Sequence, residues 1–145
     1  MVTLVDKTLA SYKVPHNENW LIHIKVFGYM SWLGPTHILN VYLKSGGNHC
    51  KDRGKALTYI SGLIDTALKR DSDARFLVLG DLNESTDRVY QHLNVKGRHS
   101  PLMIVPIVGS TITHFPIRGK KWSLDHILLN RPSVGLFKCT RVLRN

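Results

Sequence analysis

An Asp-x-Asn pair, Asp81 and Asn83, stands immediately after four apolar residues, Phe76-Leu77-Val78-Leu79, and a glycine, Gly80. A carboxylate in that place can accept a proton or orient a water or a metal ion, and a neighbouring amide can both donate to and accept from a phosphoryl system. The same pair has a plainer use, because Asp and Asn build turns by bonding their own backbone. Two other segments hold polar groups of the same kind. His37-Ile38-Leu39-Asn40-Val41-Tyr42 ends in an amide and a phenol, and Lys121-Trp122-Ser123-Leu124-Asp125-His126-Ile127-Leu128-Leu129 carries an acid ahead of an apolar tail. In the second of these, Trp122 preceded by Lys120-Lys121 can form an aromatic wall with basic phosphate contacts or serve as packing. Thr113 and His114 precede it as weaker candidates for substrate contact.

The elements that must position these groups are legible from their periodicity. The uninterrupted run from Phe76 to Leu79 suits a central strand covered on both faces and ended by a glycine turn, and polar groups just beyond strand ends are where open α/β sheets place their sites. From Asp52 to Arg70 the residues Ala56, Leu57, Ile60, Leu63, Ile64, Ala67 and Leu68 recur at helical spacing. Asp52 and Lys69-Arg70 match the helix dipole, and Arg53, Lys55, Lys69 and Arg70 are expected at the rim. Gly62, which costs about 1 kcal/mol of propensity relative to Ala, is expected to allow close packing.

Strands are expected over Val2–Val5, Leu21–Val26 and His37–Leu43, the last two as an antiparallel pair. His23 and Lys25 then share one face at solvent or a helix edge, and His23 receives no functional role. Residues Glu84 to Asp87 offer caps for a short helix with Val89, Tyr90 and Leu93 on one face. Pro106 confines Leu102–Val108 to an edge strand or an irregular segment. Thr111–Phe115 reads as a strand or loop beside the site, Leu124–Leu129 as a core strand and Val134–Leu143 as a further one.

The 145 residues fit one domain, residues 1–145, with a real core. Apolar content of 43% with 21% charged residues is that of a globular chain, not a disordered one. Lys and Arg number 20 against 10 acids, a formal charge of +10, which favours a polyanionic partner through counterion release. Charge alone does not choose between DNA, RNA and lipid headgroups. No stretch is long and apolar enough to span a membrane and no leader pattern is seen. Cys50 and Cys139 are too few for a disulfide framework or a zinc site, so an intracellular location, nuclear or cytoplasmic, is expected.

Taken in order, the segments ending in Asn40-Val41-Tyr42, in Gly80-Asp81-Leu82-Asn83 and in Ser123-Leu124-Asp125, with a helix between the first two, resemble the endonuclease/exonuclease/phosphatase superfamily. That superfamily includes DNase I, AP endonucleases and the endonucleases of LINE-type retrotransposons, and the likeness is strongest to the last two groups. It covers the chain from about Val2 to Leu129. It implies an α/β (α+β) fold, a partial DNase I-like β-sandwich with flanking helices. It also implies a Mg²⁺-dependent phosphodiesterase site in which Asp81 orients or deprotonates the attacking water, Asn83 holds the phosphate or nucleophile, Tyr42 places its hydroxyl near that phosphate, and Asp125 orients a terminal His. Asn40, Thr113, Lys121 and Trp122 are the matching candidates for substrate contact, with DNA ahead of RNA as partner.

The chain departs from the family pattern at three points. It shows no initial strand carrying an Asn, no following strand carrying the metal-binding Glu, and no terminal Ser-Asp-His. Asp125-His126 does not supply the last of these, since neighbours on a strand point to opposite faces. The expectation is therefore a fragment or degenerate copy with little activity of its own. Two alternatives stand beside the endonuclease reading: a catalytically incompetent remnant that still binds nucleic acid, and a phosphatase of the same superfamily.

Overall fold

A computed structural model of the chain describes residues 10–27, 35–93, 102–105 and 124–136. They form one six-stranded sheet with helices. The elements in chain order are β1 (Ala10–Val14), β2 (Leu21–Phe27), β3 (Thr36–Tyr42), α1 (Cys50–Arg70), β4 (Arg75–Asp81), α2 (Thr86–Leu93), β5 (Met103–Ile104) and β6 (Asp125–Leu129). Across the sheet the order is β1-β2-β3-β4-β6-β5. Four neighbouring pairs are antiparallel, including β2 with β3 as expected, and β3 with β4 is parallel. A parallel pair needs a crossover, and the 21-residue α1 supplies it.

One face of the sheet carries the core. Leu39 and Val41 of β3, Phe76 and Val78 of β4 and Leu128 of β6 are buried and join Ala56, Leu57, Ile60, Ile64 and Leu68 of α1 in one apolar cluster. The alternation expected of strands is kept, because Ile22, Ile24, Ile38, Leu77, Leu79 and Ile127, pointing to the other face, are only half-buried. The strand over Phe76–Leu79 is therefore central, with one face fully covered and the other partly covered among the described residues. α1 stops where Asp71 turns extended, its N–H bonded to the Ala67 carbonyl at 2.9 Å. Asp71 Oδ1 then accepts from the Asp73 N–H at 3.0 Å, an Asx turn that aims the chain into β4.

Several expectations are corrected. Gly80 is no turn residue: it lies within β4 at φ +128°, and a Cβ there would sit 2.1 Å from the Val41 carbonyl oxygen. Gly62 faces open space, with no atom within 4 Å of a Cβ, so close packing does not explain it. Arg53 is buried and not at the rim, whereas His23 is buried against α1, the helix-edge position of the two expected for it. Arg131–Leu136 is a 3₁₀ turn, so the strand expected from Val134 does not begin there. The turn is pinned by the fully buried Asn130, which accepts from the Phe76 N–H at 2.9 Å and donates to the Ala74 carbonyl at 2.7 Å. β1 was not anticipated. The expected strand at Val2–Val5, the segment Thr111–Phe115 and residues 137–143 lie outside the described residues.

Candidate active site

The register of three strands brings the motif residues into one row. Tyr42 of β3 is the partner of Asp81 on β4, and Asp81 is the partner of Asp125 on β6. Residues directly opposite one another project to the same face, so the phenol and the two carboxylates emerge side by side on the face away from α1. Asn40, two residues earlier on β3, lies on that face too and is buried. Asn40, Tyr42, Gly80 and Asp81 line a shallow concavity of about 260 Å³. Tyr42 is 54% exposed, which leaves its hydroxyl available to a bound molecule.

Asp81 and Asn83 show the turn-building use anticipated for an Asp-x-Asn pair. Asp81 Oδ1 accepts from the Asn83 N–H at 3.0 Å, so the turn is formed. Asn83 adopts φ 49°, a left-handed conformation that Asn tolerates better than most residues, and its amide nitrogen donates to the Leu43 carbonyl at 2.7 Å. Its NH₂ group thus clamps the segment leaving β3 to the segment leaving β4. Backbone bonds close the same seam: the Leu43 N–H donates to the Asp81 carbonyl and the Leu82 N–H to the Leu124 carbonyl, both at 2.9 Å. The row is rigidly held on both sides of Asp81.

His126 does not share the row. It points to the α1 face, is buried, and its Nε2–H donates to the Glu84 carbonyl at 2.8 Å. It acts as a packed structural residue, as the strand alternation requires. Trp122, Lys121, Thr113 and His114 lie outside the described residues.

Sequence reasoning missed one residue at this site. Glu84, the residue after Asn83, is buried and its Oε1 accepts from Arg53 Nε at 2.8 Å and lies 3.5 Å from Arg88 Nη1. Arg53 also donates to the Lys44 and Gly46 carbonyls at 3.0 and 2.7 Å. This buried pair binds the first turn of α1 to both loops that border the row. A Glu directly after Asp-x-Asn, with an Arg on the first turn of the preceding helix, was the available signal.

A divalent cation of the Mg²⁺ type takes oxygen ligands, uses few carboxylates and keeps several waters. Asp81 and Asp125, register partners on one face, fit that demand in kind. Among the described residues no group of three or more His, Cys, Asp or Glu side chains is arranged to hold a metal.

Comparison with known proteins bears on the fold. No family model and no curated protein sequence matches the chain. Among solved structures it is similar to a beta hairpin deletion mutant of beta toxin from Staphylococcus aureus, with TM-score 0.65 and 17% identity over 86% of this chain and 49% of that one. It is similar to truncated TDP2 from Caenorhabditis elegans, with TM-score 0.61 and 16% identity over 87% and 55% of the two chains. The human Nocturnin catalytic domain gives TM-score 0.56 and 17% identity over 85% and 48%. A further beta toxin structure contains bound magnesium ions. The chain spans about half the length of these structures. What it shares with them is the DNase I-like fold, present here in part, as the order of its motifs implied.

Proposed function

We propose that this part of a DNase I-like fold carries half of a Mg²⁺-dependent phosphodiesterase site acting on nucleic acid, with DNA ahead of RNA, and that it is weak or silent alone. The observation that carries the reading is the row Tyr42, Asp81, Asp125 on one face at the carboxyl ends of two parallel strands. Asp81 and Asp125 would hold the cation, which when bound would polarise the phosphate and neutralise charge on it. Asp81, with Oδ1 steadied by the Asn83 N–H, would also orient the attacking water. Tyr42 offers a donor to a phosphate oxygen. Asn83, with one N–H of its amide bonded to the Leu43 carbonyl, would help hold Asp81 in place, and its second N–H and carbonyl oxygen are what it could offer to the phosphate or the nucleophile. Asn40 would support the row from below.

The neighbours named above support this reading through their shared fold, and one of them through its bound magnesium. The test is metal binding, read by calorimetry and thermal shift in Mg²⁺ or Mn²⁺, beside nicking of supercoiled DNA. Millimolar binding that Asp81→Asn and Asp125→Asn each remove, with nicking near background, is the expected result. Metal binding indifferent to both substitutions would overturn it and leave the remnant reading, a basic domain that only binds nucleic acid. Robust hydrolysis of a small phosphomonoester instead of DNA would favour the phosphatase reading.

A further inference from the structure

We propose that the groove between α1 and α2 binds the phosphate backbone of a nucleic acid strand. The proposal deepens the nucleic-acid reading and rests on it for the class of partner. The groove, of about 660 Å³, is lined by Lys51, Lys55 and Thr58 from α1 and by Arg88, Gln91 and His92 from α2. Both helices contribute their groove residues at i and i+4, positions that share one helix face. Lys51 and Lys55 are about 6 Å apart along the helix axis, a span of about two phosphates at roughly 3.4 Å of rise per phosphate on one strand.

The lining is more selective than an ordinary solvated surface. Among the described residues no acidic side chain is in it, although Asp52 and Asp87 sit on the same two helices; Asp52 lines a different cavity, beside Tyr42 and Lys44. Among the described residues its lining also holds no Leu, Ile, Val, Phe, Tyr or Trp side chain. Thr58 and Gln91 add neutral hydrogen-bonding groups that suit phosphate and sugar oxygens.

The groove is also fixed in shape. Gly54 and His92 form its floor, and the helices approach so closely that a Cβ on Gly54 would lie 3.1 Å from His92 Cε1. Arg88 meets Cys50 Sγ and lies 3.5 Å from Glu84 Oε1. Glu84 is shared with Arg53, so two guanidinium groups face one carboxylate and positive charge remains. Because α1 follows β3 and α2 follows β4, the first turns of both helices lie at the carboxyl end of those strands, the end that bears Tyr42 and Asp81.

The experiment is anisotropy titration of a labelled DNA duplex and of a single strand of equal length, over a series of salt concentrations. The variants are Lys51→Gln/Lys55→Gln, Gln91→Lys, and Lys69→Gln/Arg70→Gln, which removes equal charge at the far end of α1. Loss of two phosphate contacts lowers the slope of log K against log salt by about 2 and weakens binding roughly tenfold at low salt. The far-end variant should stay close to the parent, and Gln91→Lys should bind more tightly, a gain that a folding defect cannot imitate.

Equal losses in the groove and far-end variants would overturn the groove assignment, and so would a Gln91→Lys variant no tighter than the parent. Tighter binding to phosphatidylserine vesicles than to either nucleic acid, lost in Lys51→Gln/Lys55→Gln, would assign the groove to a membrane surface and overturn the proposal. A parent chain that binds Mg²⁺ through Asp81 but no nucleic acid at low salt would reject the nucleic-acid partner while leaving the metal site standing. Binding that Asp81→Asn abolishes and the groove variants leave intact would place all contact at the row and reject the groove alone.

Discussion

Arg53 and Glu84 form an ion pair across 31 residues of sequence, Nε to Oε1 at 2.8 Å, with both side chains buried. Removing one partner strands the other charge in the interior, which costs about 3–5 kcal/mol. Glu84→Gln and Arg53→Met are each expected to destabilise by an amount in that range, while the double variant recovers part of the loss. Urea denaturation of the single and double variants gives the coupling directly, and additive losses would show that the pair is not a unit.

Three imidazoles are joined end to end under the second half of α1. His16 Nε2 lies 3.0 Å from His23 Nδ1, and His23 Nε2 lies 2.9 Å from His37 Nδ1. Burial, with the charges of His37, His16 and Lys25, lowers His23 to about 3; burial and Lys25 lower His37 to about 4, against a smaller opposing effect of Asp71. Between pH 6.5 and those values the unfolded chain binds protons that the folded chain does not, so stability present above pH 6.5 is lost as pH falls. From pH 7 to 5, before most carboxylates titrate, the proton difference is expected to rise towards two. In His37→Gln it should rise only towards one, as read from unfolding free energy against pH.

Two glycines are expected to respond in opposite ways. Gly62→Ala adds a methyl group to open space in mid-helix and should stabilise by about 1 kcal/mol. Gly80→Ala combines φ +128° with a 2.1 Å collision against the Val41 carbonyl, and should cost about 3 kcal/mol or more. Thermal denaturation of the two variants distinguishes them at once.

Asp81→Asn separates the turn from the charge. The amide oxygen can still accept from the Asn83 N–H, so the fold should hold to within about 0.5 kcal/mol. One carboxylate fewer then faces Asp125 across the β4–β6 pair. The thermal shift produced by Mg²⁺ should disappear while the melting temperature without metal stays near that of the parent.

What could be read from the sequence was what local pattern controls. The strands at Leu21, His37, Phe76 and Leu124 and the helix from Asp52 follow from apolar periodicity, and the order of three short motifs was enough to imply the fold. Pattern failed where tertiary contact decides. β1, Ala-Ser-Tyr-Lys-Val, lies at the sheet edge with Ser11, Tyr12 and Lys13 exposed, so it has no buried alternation to announce it. Arg53 looked like a surface residue because its partner, Glu84, comes from elsewhere in the chain. Gly80 looked like a turn because its real cause, the Val41 carbonyl on the neighbouring strand, leaves no trace near it in sequence. At the site, the residue types were legible, but the shared row needed the β3–β4–β6 register, and the clamp by Asn83 needed the Leu43 carbonyl.

The row of Tyr42, Asp81 and Asp125 also marks where the chain crosses the boundary of the sheet. β3 and β4 end at that level and β6 begins there. Evolution can therefore lengthen, shorten or replace the connections at this end without shifting any strand by a residue. If the row is the site proposed for it, selectivity could be rewritten around it by insertion and deletion in those connections alone. A single residue inserted within β4, by contrast, would turn Asp81 to the opposite face and erase the chemistry in one step.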